Sequence, residues 1–171
     1  DIAFFELFTV YGKGEMEERL AIATSGSLQK SRWQKLDIKA DFYTMKGLLE
    51  SILSSIGFEG KRVMIKENTL DHERFHPYQS ACLYLGKQLV GIFGTIHPQL
   101  SKRYDVSEDV VVAELNLEVV LQNKASKIKY TPMSKYPGVN QDLAFVVEQT
   151  VKVGDIIACI EKNGKLEKEN L

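Results

Sequence analysis

One amphipathic helix, set among several segments of strand length, constrains the fold of this chain most. Its apolar residues recur at spacings of three and four and so form a single stripe. They are Phe42, Met45, Leu49, Ile52 and Ile56. Asp41 is the predicted N-cap and Gly57 the predicted stop. Because only one face of this helix is apolar, we expect it to pack on a sheet.

Short apolar segments bounded by turn residues predict the strands of that sheet. They are Ile2–Val10, Leu20–Gly26, Val63–Ile65, Ala81–Leu85, Gln88–Gly94 and Asp109–Leu115. The first two are predicted to pair antiparallel, and Gly86-Lys87 predicts a type II′ hairpin turn. Short helices are predicted after Pro98 and over Leu117–Leu121. The segment Ser27–Lys39 is predicted to be a loop or short helix. The pattern is α+β, with a mixed or antiparallel sheet.

The composition near residue 122 changes to that of a linker, which is assigned to residues 122–129. Beyond it we predict a strand over Asp142–Val147 and a helix over Val153–Lys162. One strand and one helix cannot close a core, so this second unit is expected to be incomplete. Asp1 is not an initiator residue and a strand follows it at once, so we expect a piece of a longer chain.

The composition excludes several protein classes. The chain of 171 residues is 44% hydrophobic and 26% charged, with 22 basic and 23 acidic residues. These values are typical of globular proteins and exclude disordered, collagenous and disulfide-rich classes. No apolar run reaches the length of a membrane span, so no membrane partner is expected. Two cysteines without metal-ligand spacing predict a reducing compartment, the cytoplasm.

The segment His72-Glu73-Arg74-Phe75-His76 matches the H-E-x-x-H pattern of zinc peptidases. That chemistry requires both imidazoles on one helical face, with the glutamate as general base. Pro77 disfavours a helix at His76, and the flanking residues lack apolar periodicity. A zinc hydrolase is therefore the weakest alternative, and a loop with two solvated or capping histidines is favoured.

Two further patterns leave alternatives open. Gly91-x-x-Gly94 lacks the strand, loop and helix context of a phosphate-binding loop, which favours close backbone packing. Lysines interleaved with tyrosines between Lys124 and Tyr136 are consistent with a free-standing RNA-binding module or with a solvated linker. The residues alone provide no convincing active site.

Five stretches together resemble one family, the β subunit of bacterial phenylalanyl-tRNA synthetase. They are Phe5-Glu6-Leu7, Asp41–Gly47 (DFYTMKG), Phe75–Ala81 (FHPYQSA), Gly91–Leu100 (GIFGTIHPQL) and Ser134–Ala144 (SKYPGVNQDLA). The histidine–proline pairs are weak evidence singly, whereas the ordered set is specific and covers most of the chain.

The resemblance implies a class II synthetase-like core over residues 1–121, with a six- or seven-stranded antiparallel sheet flanked by helices. It implies that residues 130–171 are part of a ferredoxin-fold anticodon-binding domain. The core is expected to be catalytically inert, to scaffold the catalytic α subunit and to help position tRNA(Phe). The whole enzyme is implied to be a tetramer of two α and two β subunits that uses ATP and magnesium.

The residues support the expected inertness. Class II enzymes carry Arg-x-Glu after an aromatic strand, where the arginine clamps the ATP α-phosphate. Those positions fall on Gly12 and Gly14, and the point charge of Lys13 cannot replace a bidentate guanidinium. The strand and helix over Val111–Leu121 contain neither glycine nor arginine. No catalytic or metal residue is therefore assigned in this chain, and Lys129 and Lys135 are the candidate tRNA contacts.

Overall fold

A computed structural model describes residues 1–12, 16–58, 60–106, 109–125, 130, 137, 140 and 142–163. The strands are β1 (Ile2–Tyr11), β2 (Met16–Ser25), β3 (Ser27–Ser31), β4 (Leu36–Lys39), β5 (Val63–Glu67), β6 (Phe75–Leu85), β7 (Gln88–Ile96) and β8 (Val110–Asn116). The helices are α1 (Phe42–Ser55), α2 (Pro98–Arg103), α3 (Leu117–Gln122) and α4 (Val153–Asn163), with a 3₁₀ turn at Gly60–Arg62. The chain divides into two compact units, Asp1–Lys129 and Tyr130–Leu171.

Six strands of the first unit form one sheet in the order β1-β2-β8-β7-β6-β5. Every neighbouring pair is antiparallel, which settles the mixed-or-antiparallel alternative. The predicted pairing of the first two strands is confirmed, since Phe5 lies opposite Ile22 and Leu7 opposite Leu20. The sheet thus has β1 and β5 as its edge strands.

The amphipathic helix forms as predicted, with Asp41 as its N-cap and Gly57 just after its C-terminal end. The Asp41 carboxylate accepts the Thr44 N–H at 2.7 Å, and the Thr44 hydroxyl accepts the Asp41 N–H at 2.8 Å. Gly57 has a φ of 91°, and the Phe58 N–H reaches back to the Leu53 carbonyl at 2.9 Å. This Schellman-type end stops the helix where the left-handed backbone favours glycine.

The core lies between α1 and the middle of the sheet. Met45, Leu49 and Leu53 of α1 are 1% exposed. The helix packs on β7 and β8, and α3 packs on β2 and β7. Helical cover is therefore centred on the middle strands, and the edge strand β1 stays open on this face.

Two predicted elements are wrong. Ser27–Lys39 is neither a loop nor a helix, because β3 and β4 form a hairpin whose four-residue turn spans Arg32–Lys35. Asp142–Val147 is not a strand, since among the described residues it has no hydrogen-bonded neighbour, and Leu143, Phe145 and Val147 are exposed. A strand requires a partner for its backbone groups, which local sequence does not supply.

The other strands and short helices predicted in the first unit form, including the hairpin of β6 and β7, the helix that Pro98 begins, and the β8–α3 succession. Two strands begin earlier than predicted, β2 at Met16 instead of Leu20 and β6 at Phe75 instead of Ala81. In the second unit the predicted helix forms as α4. The division into residues 1–121, 122–129 and 130–171, with a ferredoxin-like last part, stays a prediction. No helix among the described residues is long and apolar enough to cross a membrane.

Candidate functional site

The arginine and glutamate positions implied by the resemblance fall just after β1. Gly12 directly follows the last strand residue, Tyr11, and is exposed. It offers no side chain to a phosphate. Gly14 lies outside the described residues, as do the two candidate tRNA contacts, Lys129 and Lys135.

The second position implied by the resemblance is the β8–α3 succession, which carries acidic rather than basic side chains. Ala113 and Leu115 are buried in the core, and Glu114 between them therefore faces the opposite side of the sheet. The Asn116 side chain caps α3 by accepting the Val119 N–H at 3.2 Å. A carboxylate at this place disfavours an approaching phosphate.

The Glu114 carboxylate instead pairs with two guanidinium groups on the face of the sheet opposite α1. It contacts Arg19 on β2 and lies 3.5 Å from Nη1 of Arg74. Arg19 also pairs with Glu17 at 2.7 Å, and Arg74 pairs with Asp71. Five charged side chains thus form one network with a net charge of −1.

The network shifts the pKa values of Arg19 and Asp71. Hydrogen bonds to Glu17 and then to Glu114 raise the pKa of Arg19, which therefore stays charged. Burial opposes ionisation of Asp71, but hydrogen bonds from the backbone and guanidinium of Arg74 outweigh it and hold the pKa of Asp71 below its usual range. Both guanidiniums are neutralised within the chain, so neither is free for an external anion.

A buried asparagine positions the Asp71–Arg74 turn. Asn68 is 1% exposed, and its side-chain oxygen accepts the N–H groups of Leu70 at 3.0 Å and Asp71 at 3.1 Å. Its amide nitrogen donates to the Asp71 carbonyl at 2.7 Å and to the Ser80 hydroxyl at 3.1 Å. The turn is therefore held to β6 by a side chain whose amide oxygen and nitrogen are both hydrogen-bonded.

The two glycines of Gly91-x-x-Gly94 serve packing. A Cβ on Gly91 would lie 2.0 Å from the carbonyl oxygen of Glu114 on the neighbouring strand. Gly94 has a φ of 151°, and a Cβ there would lie 2.3 Å from the Gln79 carbonyl oxygen. This confirms the interpretation of close backbone approach.

The H-E-x-x-H segment lacks the helix that zinc chemistry requires. Residues 72–74 form a turn, and β6 begins at Phe75. Nδ1 of His76 accepts the Tyr78 N–H at 3.2 Å, and Nδ1 of His97 caps α2 by accepting the Gln99 N–H at 3.2 Å. Of the two histidines in the segment, His72 is exposed in the turn, whereas His76 lies in β6 and not in the predicted loop. The backbone contact of His76 fits the capping interpretation, and His97 lies outside the segment.

The edge of the sheet exposes large apolar side chains of the first predicted strand. Phe5 is 71% exposed and Leu7 62%. With Leu20 and Ile22 of β2 and Leu48 and Ile52 of α1 they line an open groove of about 630 Å³, here called the apolar edge. Exposed apolar surface of this kind marks an interaction site.

Sequence reasoning missed the charged network and the apolar edge. The network joins Arg19 to Glu114, residues 95 positions apart, and only the β2–β8 pairing brings them together. The apolar edge was missed because an aromatic strand has the same sequence whether or not a neighbour covers it. The charged residues Glu17, Glu18 and Arg19 are consecutive, so the local sequence carries no alternation that would show them to be part of β2.

Comparison with known proteins gives a consistent result. The family model of the phenylalanyl tRNA synthetase beta chain CLM domain matches residues 1–117. The phenylalanine–tRNA ligase beta subunit of Chlamydia trachomatis serovar D is 38% identical over 150 residues, covering 85% of this chain and 19% of that protein. The beta subunit of Geobacillus kaustophilus is 33% identical over 171 residues, covering 96% of this chain and 21% of its own.

The chain thus spans about a fifth of the length of these relatives. Among solved structures, pyrrolysyl-tRNA synthetase from Desulfitobacterium hafniense aligns over 70% of this chain and 40% of its own, with 15% identity and a TM-score of 0.46. That value is too low to carry an argument, so the class II-like description stays a prediction. On the family model and the beta-subunit relatives, the chain belongs to the phenylalanyl-tRNA synthetase β-chain family.

Proposed function

We propose that this chain is a non-catalytic core of a phenylalanine–tRNA ligase β subunit, with a class II-like fold. It scaffolds the catalytic α subunit and helps position tRNA(Phe) for ATP-dependent charging with phenylalanine in the cytoplasm. The complete assembly in this proposal contains two α and two β subunits. In this proposal adenylation takes place at the α subunit, the full enzyme uses ATP and magnesium, and this chain requires neither.

The observation that carries the scaffold role is the apolar edge. An edge strand with unpaired backbone groups and exposed aromatic residues is a docking surface that proteins normally cover. Its apolar side chains continue the core between β2 and α1 without a charged group in the groove. A subunit that covers them gains apolar burial and strand contacts together, which fits a permanent partner better than a transient one.

Two observations support the absence of adenylate chemistry. The position of the phosphate-binding arginine is Gly12, and the guanidiniums of Arg19 and Arg74 are paired with carboxylates of this chain. A phosphate would have to displace Glu114 from both arginines while facing Glu17 and Asp71. The network therefore repels the substrate that an active synthetase must bind.

Capture by a tagged α subunit from a bacterial phenylalanyl-tRNA synthetase tests the scaffold role. The full chain is expected to be captured, and the double variant Phe5→Ser/Leu7→Ser to bind at least about tenfold more weakly, because burial of each such side chain contributes about 1.5–3 kcal/mol. Tyr78→Ser is the matched control, since Tyr78 is 91% exposed and lies on β6, next to the edge strand opposite β1.

The outcomes separate the two parts of the proposal. Equal capture of the double variant and the wild type would remove the apolar edge as the docking surface, and absent capture of a folded wild-type chain would refute the scaffold role. Phenylalanine-dependent pyrophosphate exchange by the purified chain would refute its inertness. We expect no exchange above a buffer blank.

A further inference from the structure

The hairpin of β3 and β4 concentrates positive charge in a chain that is nearly neutral. Residues 27–39 hold four basic side chains and one acidic, a net charge of +3, whereas the whole chain has a net charge of −1. The basic residues are Lys30, Arg32, Lys35 and Lys39, and the acidic residue is Asp37. We call residues 27–39 the basic hairpin.

Trp33 stands at the tip of the basic hairpin and is 85% exposed. It lies in the four-residue turn, where the Lys35 N–H donates to the Arg32 carbonyl at 3.3 Å and Lys35 has a φ of 52°. Ser31 and Leu36 pair directly below the turn. The indole is therefore presented on a hydrogen-bonded support instead of a free loop.

The cations beside Trp33 are available to a ligand. Lys30 pairs with Asp1 at 2.9 Å and Lys39 with Asp37 at 3.1 Å, whereas Arg32 and Lys35 have no ion pair within the part of the chain that the structure describes. Both are exposed. The tip thus combines one aromatic face with two uncompensated positive charges.

This combination fits single-stranded RNA better than a protein surface. Bases stack on exposed aromatic rings while neighbouring cations bind the phosphates. A tryptophan that anchors a protein interface is normally set in a well-packed, apolar patch. The other residues of the turn, Arg32, Gln34 and Lys35, are all exposed and polar.

We infer that the basic hairpin is an RNA contact, in which Trp33 stacks on an unpaired base and Arg32 and Lys35 bind the adjoining phosphates. Within the proposed function, on which this identification of the RNA rests, the ligand is tRNA(Phe). The base of the basic hairpin adjoins the apolar edge, because Leu28 lines that groove, whereas the inferred contact lies at the tip. The tip provides the first unit with its own contact to the tRNA.

The chain contains a single tryptophan, so its fluorescence reports this contact directly. A twelve-residue oligouridylate titrated into the full chain is expected to quench the emission of Trp33 by stacking. Heparin, a polyanion without bases, is expected to bind without comparable quenching. Absence of quenching by oligouridylate at concentrations where a labelled copy is bound would overturn the stacking contact.

Variants separate stacking from charge in an anisotropy assay with labelled oligouridylate and tRNA(Phe) transcript. Trp33→Ala is expected to weaken binding by about 5- to 150-fold. Arg32→Gln/Lys35→Gln is expected to reduce the slope of log affinity against log salt by about 1.4, the value for two phosphate contacts with a single strand. Tyr104→Ala and Lys87→Gln, which replace exposed residues elsewhere, are the matched controls and should leave both quantities unchanged.

Failure here is distinguishable from failure of the proposed function. If the hairpin variants bind RNA as the wild type does, the inference is wrong, whatever the α subunit does. If they lose capture by the α subunit instead, the hairpin is a protein contact and the inference is again wrong, while the scaffold role stands. If RNA binding responds as expected but the α subunit is not captured, the scaffold proposal fails and the RNA contact is retained.

Discussion

Replacement of Gly91 by alanine tests whether the glycine pair in β7 serves packing or a ligand. Gly91 lies opposite Leu115 in the centre of the sheet. The added Cβ would meet the Glu114 carbonyl oxygen at 2.0 Å and Cδ2 of Leu115 at 2.8 Å. Since ordinary contacts begin at about 3.4 Å, β7 and β8 would have to separate by more than about 1 Å locally.

The cost follows from what that separation disrupts. Forcing extra volume into a packed core costs about 1–3 kcal/mol. Weakened hydrogen bonds between two central strands add about 1–2 kcal/mol. We expect Gly91→Ala to lower the free energy of unfolding by about 2–5 kcal/mol, a large share of the about 5–15 kcal/mol typical of a domain.

Gly47→Ala is the matched control, because it makes the same chemical change with the opposite expected sign. Gly47 is exposed within α1, and a Cβ there meets nothing within 4 Å. Alanine is favoured over glycine in a helix by about 0.8–1.0 kcal/mol, so this variant should be more stable than the wild type.

Urea denaturation followed by circular dichroism measures both variants. Failure of Gly91→Ala to fold, while Gly47→Ala folds, agrees with the packing role. A Gly91→Ala protein within about 1 kcal/mol of the wild type would refute it, because a glycine kept for a ligand affects binding and leaves unfolding unchanged.

Three further predictions use the same equilibrium or labelling measurements. Asn68→Ala should lower the free energy of unfolding by about 3 kcal/mol, since it removes four hydrogen bonds of a buried side chain; a loss below about 1 kcal/mol contradicts this. The lowered pKa of Asp71 stabilises the fold above about pH 4, and this contribution is lost as pH falls through the folded-state value, so Asp71→Asn should flatten the acid limb of stability; an unchanged limb contradicts it. A thiol reagent should modify exposed Cys159 rapidly and buried Cys82, whose pKa burial raises, only on unfolding; two rapid thiols contradict it.

Much of the first unit could be predicted from local sequence. The stripe of α1 and its signals at Asp41 and Gly57 act within one or two turns, so they give the same answer in isolation and in the fold. The β6–β7 hairpin is equally local, because Gly86 supplies the positive φ of 59° that the turn requires. Elements of this kind need no information from distant residues.

The wrong secondary-structure predictions concern segments whose conformation depends on pairing with another segment. β3 and β4 are polar and half-exposed, and they become strands only by pairing with each other after the turn at Gly26, whose φ is 79°. The segment Asp142–Val147 contains the continuous apolar run of a strand, yet among the described residues nothing pairs with it. An apolar segment is able to form a strand, but it does so only where a neighbouring backbone pairs with it.

The absence of an arginine at position 12 could be predicted from the sequence, whereas the charged network and the apolar edge could not. A missing arginine at Gly12 can be read from the sequence, because glycine has no group to offer in any fold. The features that local sequence does not reveal depend on the sheet: the register of β2 and β8 places Arg19 diagonally across from Glu114, and the edge position of β1 exposes Phe5. Since self-neutralised arginines and an open apolar strand disfavour phosphate chemistry and favour a partner, the two observations support the same proposal from independent parts of the molecule.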